Sequence, residues 1–432
     1  MQEKTSKILI GIVLVLAVSG FSGTAYYFEQ NNSTNEELQN LKLLSSKLNE
    51  IDSYLTARIN YTPLIKDPPS LYQVLTTPRV GIVDITAYEQ APVLAAINVT
   101  GIVTINGFKY YVGTVGDHHV VDVRAGEKDS SAELATATMD NYFNITYAVL
   151  SGIGGSRNPY INTGDVAIGA FVINKGSIHF HNGNYETPYG GDEMVITSRS
   201  LLGNSLISGY GEVGPTISNA STYGYGPGAP SKNYVYVVAL AASEELVKVA
   251  SSFTSVGSIS ISELTGIQNA TGSVNNKAVI AVISSGGFWT DPVYLNAEQN
   301  ALYQGDVGEN EGWGFAFANT QYGVPWVIIR GISNSHFYPN SFHGVLAAKR
   351  AAEVAVYLIE HVNSTLDLRQ TATFSNLSPI SEARVHGYIV ANRVYFNSSG
   401  NVTEVQYTNQ LGQQVTVYNP KEYPATLPSL ND

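Results

Sequence analysis

The chain has 432 residues, enough for one large α/β domain with appendages and an ample core. Its 35 acidic residues outnumber 23 basic residues and give a net charge of −12, which argues against binding to nucleic-acid phosphates. Cysteine is absent, which excludes disulfide bonds and thiolate metal sites. Only 13% of the residues are charged, while there are 28 Tyr and 40 Gly, a composition that favours an exposed, glycosylated surface protein over a cytosolic enzyme.

An apolar segment lies at the N-terminus. Lys4 and Lys7 precede residues 8–28, a run close to the ~20 residues that cross a bilayer as a helix. We expect residues 1–30 to form a single-pass membrane anchor, with the main domain outside the cytoplasm. The alternative is a signal peptide cleaved near Ser22 to Ala25, which would leave the protein secreted.

Asn-x-Ser/Thr sequons support export, because such sites are modified only outside the cytoplasm. The candidate glycosylation sites beyond residue 78 are Asn98, Asn144, Asn219, Asn269, Asn363, Asn376, Asn397 and Asn401. Three further sequons lie at Asn31, Asn32 and Asn60.

Residues 31–62 are predicted to form a helical stalk, since leucines and one isoleucine recur three and four residues apart between Leu41 and Leu55. Either a short coiled coil or an amphipathic helix packed on the body satisfies this spacing. A proline-containing linker follows over residues 63–77. At the other end, residues 365–432 are predicted to form a β-rich appendage with strands over 385–396, 402–407 and 413–418.

The main domain is predicted over residues 78–364, where apolar strands and helices alternate as in an α/β fold. Predicted strands cover 79–85, 107–113, 119–124, 147–150, 166–169, 234–241, 278–283 and 326–329. Predicted helices cover 86–94, 130–142, 243–253, 313–321 and 344–362. Ligands in open α/β sheets bind beyond the carboxyl ends of strands, so Glu309, Glu311, Arg330 and Asn334 are the first candidates for a site.

Three segments carry a family resemblance. Glu309-Asn310-Glu311 and its helix precede Val324-Pro325 and Arg330-Gly331-Ile332-Ser333-Asn334, and residues 151–159 form a Gly-rich run ahead of Gly164-Asp165-Val166. At this spacing they resemble the nucleoside phosphorylase and nucleosidase superfamily, and the Gly-rich run resembles exported purine nucleoside permeases even more. The resemblance covers residues 78–364. It implies a phosphorylase-like mixed twisted sheet flanked by helices, a nucleoside or related small molecule as partner, a homo-oligomer, and neither metal nor cofactor.

The resemblance also implies roles for single residues in substrate binding. Glu311 would bind the ribose hydroxyls with Asn310 beside it, and the backbone of Gly152, Ile153 and Gly154 would line the ribose and the phosphate or water site. Phe288 or Trp289 would stack on the base, although core packing explains either aromatic residue as well.

Two charged residues carry the implied chemistry. When the chain is aligned on Gly81, Glu89 falls on the glutamate that activates the attacking water in the nucleosidases, and the alternative is an ordinary first-turn helix glutamate. Arg330 would orient the water or pair with Glu89, and the alternative is a structural ion pair.

Two departures from the family pattern shape the functional expectation. Leu150 stands where phosphorylases carry an arginine that grips phosphate, so hydrolysis is favoured. Asn334 replaces the aspartate that protonates purine N7, and an amide can only hydrogen-bond the base, as with 6-oxopurines. We therefore expect extracytoplasmic hydrolysis of the N-glycosidic bond of purine nucleosides. The alternatives are a non-catalytic nucleoside-binding protein and a structural cell-surface protein with the same fold.

Overall fold

The computed structural model describes the main domain and several shorter segments. The described residues are 42–43, 46–47, 58–158, 161–176, 180–181, 184–185, 192–195, 197–201, 217–218, 234–237, 239–265, 268–287, 305–335, 342–373, 391–396, 402–408 and 414–418. Residues 1–61 with 103–107 form one compact unit, and residues 62–102 with 108–432 form the other. In the first unit, the side chains of Ile59, Val103 and Ile105 are buried.

The strands are numbered here in chain order. They are β1 (Ile59–Pro63), β2 (Arg79–Asp84), β3 (Asn98–Ile105), β4 (Phe108–Val115), β5 (His118–Arg124), β6 (Ile145–Ser156), β7 (Val166–Asn174), β8 (Phe180–His181), β9 (Asn184–Tyr185), β10 (Asp192–Val195), β11 (Ile217–Ser218), β12 (Tyr234–Val237), β13 (Ala239–Ala241), β14 (Ser258–Ser260), β15 (Ser273–Asn275), β16 (Ala278–Ser285), β17 (Val307–Glu309), β18 (Trp326–Ser335), β19 (Ala391–Phe396), β20 (Val402–Thr408) and β21 (Gln414–Tyr418).

The helices of the second unit alternate with these strands. They are α1 (Leu71–Thr76), α2 (Ala87–Ala96), α3 (Asp129–Tyr142), α4 (Glu244–Ser251), α5 (Ile261–Thr265), α6 (Gly312–Tyr322) and α7 (Gly344–His361). The predicted helices of the main domain are thereby confirmed, with ends that differ by a few residues.

A mixed sheet forms the centre of the second unit. Strand β2 pairs in parallel with β5 on one side and with β6 on the other. Strand β6 continues into a closed ring in the order β6, β17, β16, β7, β18 and back to β6, with β18 parallel to β6 and antiparallel to β7. Apolar residues of these strands are buried almost without exception, which is typical of a sheet covered by helices on both faces. The α/β prediction is confirmed.

Helix α7 approaches strand β18 closely because position 331 is glycine. A Cβ atom at Gly331 would overlap the backbone carbonyl of Ala347, so any larger residue would push α7 away from the strand. The same helix packs on α2, while α6 packs on α3. These contacts fix the beginnings of α2 and α6, which carry the candidate site residues, against the sheet.

Two sequence predictions about strand length are wrong. The Gly-rich run is not a loop, because β6 extends through Ser156 and pairs with β18 along its whole second half. Arg330 to Asn334 likewise lie within β18 rather than beyond its end, with a bulge between Ile332 and Asn334. Glycine content predicted a turn, but here the missing side chains make room for buried charged groups.

The terminal segments are only partly described. Residues 42–43 and 46–47 of the predicted stalk are helical, but its end is not, because residues 59–62 lie in strand β1. The predicted linker over residues 63–77 contains helix α1, which Ser70 caps. Residues 8–28 lie outside the described residues. None of the described helices is both long and apolar enough to cross a bilayer. Near the C-terminus, β19, β20 and β21 form an antiparallel three-stranded sheet, as the strand pattern predicts.

Candidate active site

Arg330 is the centre of the candidate site. Its side chain is fully buried on β18, and its Nη2 bonds to Oε2 of Glu309 and lies 3.2 Å from Oε2 of Glu311. Nη1 lies 4.0 Å from Oε1 of Glu89. Nη1 and Nε meet no hydrogen-bond acceptor among the described residues. One buried guanidinium therefore faces three carboxylates and still has donors to offer.

Glu309 and Glu311 come from the end of β17 and the start of α6. Oε2 of Glu309 accepts hydrogen bonds from the backbone N–H groups of Glu311 and Gly312, at 3.0 and 2.8 Å. Burial pushes the pKa of Glu309 upward, but the charge of Arg330 and these hydrogen bonds outweigh burial and hold its pKa below the usual value. Burial raises the pKa of Glu311, a trend that Arg330 opposes and the charge of Glu309 reinforces.

Lys128 fixes the second oxygen of Glu311. Its backbone N–H donates to Oε1 of Glu311 at 3.0 Å. Lys128 precedes α3 and has a φ of 86°, which lies in a backbone region that strongly favours glycine. The backbone is therefore strained at the residue whose N–H binds this carboxylate. Such strain is typical of functional sites.

Glu89 lies in the first turn of α2 and is 3% exposed. Its Oε2 accepts hydrogen bonds from the backbone N–H and the hydroxyl of Thr86, at 2.8 and 2.5 Å, which begins the helix in the manner of a capping box. Its Oε1 accepts from the backbone N–H of Ile153 at 2.8 Å. Glu89 is thus a first-turn helix glutamate, and the same carboxylate also faces Arg330.

Gly152 leaves room for the side chains of Arg330 and Glu89 to approach each other. It is paired with Arg330 across β6 and β18. A Cβ atom at Gly152 would overlap Nη1 of Arg330 and lie 2.9 Å from Oε1 of Glu89. The Gly-rich segment is therefore a strand at this point. The guanidinium of Arg330 takes the space that a side chain at position 152 would fill, and the N–H of Ile153 donates to Glu89.

Asn334 lies further along β18, beside Gly155 of β6. Its Oδ1 accepts a hydrogen bond from Oγ of Ser333 at 2.8 Å, and the same hydroxyl lies 3.2 Å from the carbonyl of Gly154. The side chain of Asn334 is only half-buried. Nδ2 of Asn334 keeps two donors, and Oδ1 one further lone pair, for other hydrogen bonds.

The remaining predicted site residues have different outcomes. Asn310 is buried between the two glutamates. Phe288 and Trp289, the aromatic residues predicted to stack on a base, lie outside the described residues. Leu150 is fully buried within β6. The described residues contain no cluster of three or more His, Cys, Asp or Glu that could hold a metal ion.

The sequence of the main domain decides the family. Residues 79–360, well over half of the chain, match the family described as the phosphorylase superfamily. The chain belongs to the phosphorylase superfamily. No individually curated protein matches the chain.

Several solved structures are similar in fold to this chain at low sequence identity. Futalosine hydrolase of Helicobacter pylori is 16% identical, with a TM-score of 0.45 over 67% of this chain and 100% of its own. A 5′-methylthioadenosine/S-adenosylhomocysteine nucleosidase from Colwellia psychrerythraea, in complex with adenine, is 20% identical, with a TM-score of 0.45 over 67% and 96%. The corresponding Campylobacter jejuni nucleosidase is 16% identical, with a TM-score of 0.45 over 66% and 99%.

Sequence reasoning missed two charged residues beside the site of this superfamily member, the half-buried Asp129 and the buried Lys175. Asp129 accepts hydrogen bonds from Oγ of Ser285 and the N–H of Gly314, at 2.9 and 3.3 Å, and burial, with the charge of Glu309, raises its pKa to about 7. Lys175 donates from Nζ to the carbonyl of Glu309 at 3.0 Å, and burial lowers its pKa to about 7. Lys175 directly follows an apolar strand, so the rule that selected Arg330 could have found it.

Proposed function

We propose that this protein hydrolyses the N-glycosidic bond of purine nucleosides. The observation that carries the proposal is the 4.0 Å separation between Nη1 of Arg330 and Oε1 of Glu89, both buried. A water at hydrogen-bond distance, ~2.8 Å, from both atoms fits this gap. Such a water would meet a donor and a proton acceptor at once, which are the two contacts a nucleophilic water needs.

The proposed reaction needs only water, the nucleoside and side chains of this protein. The water oxygen bonds to C1′ of the ribose while Oε1 of Glu89 takes one water proton. The C1′–N bond breaks, and its electron pair leaves with the base, which accepts a hydrogen bond from Nδ2 of Asn334. Glu311, held by Lys128 and Arg330, has lone pairs left for the ribose hydroxyls. Phe288 or Trp289 is proposed to stack on the base.

Several features support hydrolysis over phosphorolysis. A phosphate dianion requires several cationic or N–H donors. Leu150 offers none, and the charge of Arg330 is already matched by Glu309 and Glu311. Glu89 would also repel a phosphate placed between it and Arg330. A neutral water suffers no such repulsion.

The deciding experiment offers inosine, guanosine, adenosine and uridine to the purified protein, with and without phosphate, and separates free base and sugar by chromatography. We expect release of hypoxanthine and guanine without phosphate. Release that requires phosphate would contradict the hydrolytic assignment.

A second candidate function is nucleoside binding without turnover. Two observations favour it: the two hydrogen bonds from Thr86 already give Glu89 the structural role of a helix cap, and the amide of Asn334 cannot protonate a base. Calorimetry on the same nucleosides separates the two candidates, because a binding protein would give a Kd without base release. Neither heat nor release would favour the structural alternative.

We also propose that the main domain acts outside the cytoplasm, anchored through residues 8–28. Four candidate sequon asparagines among the described residues support this proposal because they are exposed: Asn98, Asn144, Asn269 and Asn363. A mass shift after deglycosylation, lost when these asparagines are replaced, would support export. Detection of the unmodified protein only in the cytosol would contradict it.

A further inference from the structure

Two buried acids lie next to each other beneath the start of helix α2. Asp84 ends β2, and Asp122 lies on the neighbouring β5, where it is paired with Ile82. Side chains two residues apart on a strand share a face, so Asp122 and Asp84 point to the same side of the sheet. Both side chains are fully buried.

The oxygens of this pair lack hydrogen-bond donors. Neither oxygen of Asp84 nor Oδ1 of Asp122 meets a donor within the described part of the chain. Oδ2 of Asp122 accepts from Nε2 of Gln90 at 2.7 Å. Two ionised carboxylates in contact in a buried pocket are strongly unfavourable, whereas one proton turns an acceptor into the missing donor.

The surrounding groups determine where that proton resides. Asp84 faces Asp122, Glu89 and Ser151, and burial, then Asp122, then Glu89 raise its pKa well above the usual value. Asp122 faces Asp84 and Gln90, and burial raises its pKa to about 6, against the hydrogen bond from Gln90. The two carboxyl groups therefore favour keeping one proton between them.

Gln90 connects the pair to the candidate base. It follows Glu89 in the first turn of α2 and is only 6% exposed. Its bond to Asp122 ties that turn to β5, while the bond from Ile153 to Glu89 ties the same turn to β6. Glu89 is thus held from two strands, and one of these connections depends on Asp122.

We propose that Asp84 and Asp122 share one proton and, through Gln90, position Glu89 for hydrolysis. This inference rests on the proposed function. Asp84 and Asp122 are positioning residues, because they act through Gln90 and touch no substrate.

Infrared spectroscopy of the full-length protein tests the shared proton without any assay of activity. The C=O stretching band of a protonated carboxyl group lies at a different infrared frequency from the bands of a carboxylate. We expect D84N and D122N each to lose the signal of one protonated carboxyl at neutral pH, with no further loss in the double variant. D140N serves as the matched control, because the carboxyl oxygens of Asp140 are buried and burial raises its pKa well above the usual value, so its loss of signal should add to that of D84N. An unchanged signal in D84N and D122N would overturn the shared proton.

Kinetics test the positioning role. In D84N a permanent amide donor replaces the shared proton at the same net charge, so kcat should stay within about threefold of wild type. D122L and Q90L should each lower kcat at least about tenfold with little change in KM, and the double variant should lose no more than either single one. D140N should keep wild-type kinetics and the wild-type pH profile.

The outcomes separate this inference from the proposed function. Wild-type kcat in both D122L and Q90L would overturn the positioning role while hydrolysis itself stands. No base release by the wild-type protein would overturn hydrolysis and positioning together, and the infrared result would then decide the shared proton by itself.

Discussion

Nη1 of Arg330 and Oε1 of Glu89 lie 4.0 Å apart in the interior of the protein, too far for a direct hydrogen bond and close enough to share a water. The space between them exists because position 152 is glycine. Two strands and one helix start meet at this point: β6 contributes the N–H of Ile153, β18 the guanidinium of Arg330, and α2 the carboxylate of Glu89.

Replacing Glu89 by Gln should abolish turnover and spare binding. The amide cannot accept a proton from water, and the loss of a general base costs about 10²–10⁴-fold in rate. Chromatographic assay of base release measures kcat, and calorimetry measures Kd. E127Q, which alters an exposed glutamate on the loop before α3, is the matched control and should behave as wild type. Turnover by E89Q within a few fold of wild type would contradict the role of Glu89.

Replacing Arg330 by Met should destabilise the fold strongly. The change leaves Glu309 and Glu311 buried without their counter-charge, and breaking a buried pair in this way costs about 3–5 kcal/mol. Denaturant unfolding gives the free energy of unfolding. Lys248, an exposed cation beside Glu244 and Glu245, provides the control, since K248M should leave the free energy of unfolding nearly unchanged. Equal losses in the two variants would contradict the buried network.

Local sequence patterns predicted five helices and most of the longer strands of the main domain, but not β3, and they indicated several candidate site residues. Apolar runs predicted the strands, and polar residues near strand ends predicted Glu309, Glu311 and Arg330. These signals are short-range, because each one depends on residues adjacent in the chain. The ion pairs of Arg330 were harder to predict from the sequence, because Glu309 and Arg330 are 21 residues apart and meet only when the ring of strands closes.

The Gly-rich segment shows why other features could not be predicted. Glycine is common in turns, so Gly152 and Gly154 indicated a loop. In the fold they lie in β6, where Gly152 accommodates a guanidinium from β18. Asp84 and Asp122 were missed for a similar reason, because their proximity depends on the register of two strands separated by more than thirty residues.

Stability should depend on pH through Asp129. Burial and the charge of Glu309 raise its pKa to about 7 in the folded protein, whereas an unfolded aspartate ionises near pH 4. Between these values the unfolded chain releases a proton that the folded chain keeps, so the folded state loses stability as pH rises. D129N removes this loss. Its gain in unfolding free energy should be absent below about pH 4 and reach about 1–4 kcal/mol above about pH 7.

Lys175 should show the opposite pH dependence. Burial lowers its pKa to about 7, so below that pH the folded protein bears a poorly solvated charge. K175M should therefore gain stability in acid, and its gain should decline from about pH 7 to about pH 10 as the unfolded lysine loses its proton. Denaturant unfolding at several pH values measures both variants. If the free energy of unfolding had the same pH dependence in wild type, D129N and K175M, the shifted pKa values of both Asp129 and Lys175 would be contradicted.

Replacing Asn334 by Asp should extend activity to 6-aminopurine nucleosides. Oδ1 of Asn334 accepts from Ser333, so an aspartate would keep that bond through one oxygen and could donate a proton from the other. An acid at this position adds leaving-group protonation, worth roughly 10²-fold or more for a base that departs poorly as an anion. We expect N334D to release adenine from adenosine, with a rate that falls as pH rises and the acid ionises. N334A, which lacks both donor and acid, is the control. If N334D shows the same adenosine-to-inosine ratio as wild type, the side chain at position 334 does not contact the base.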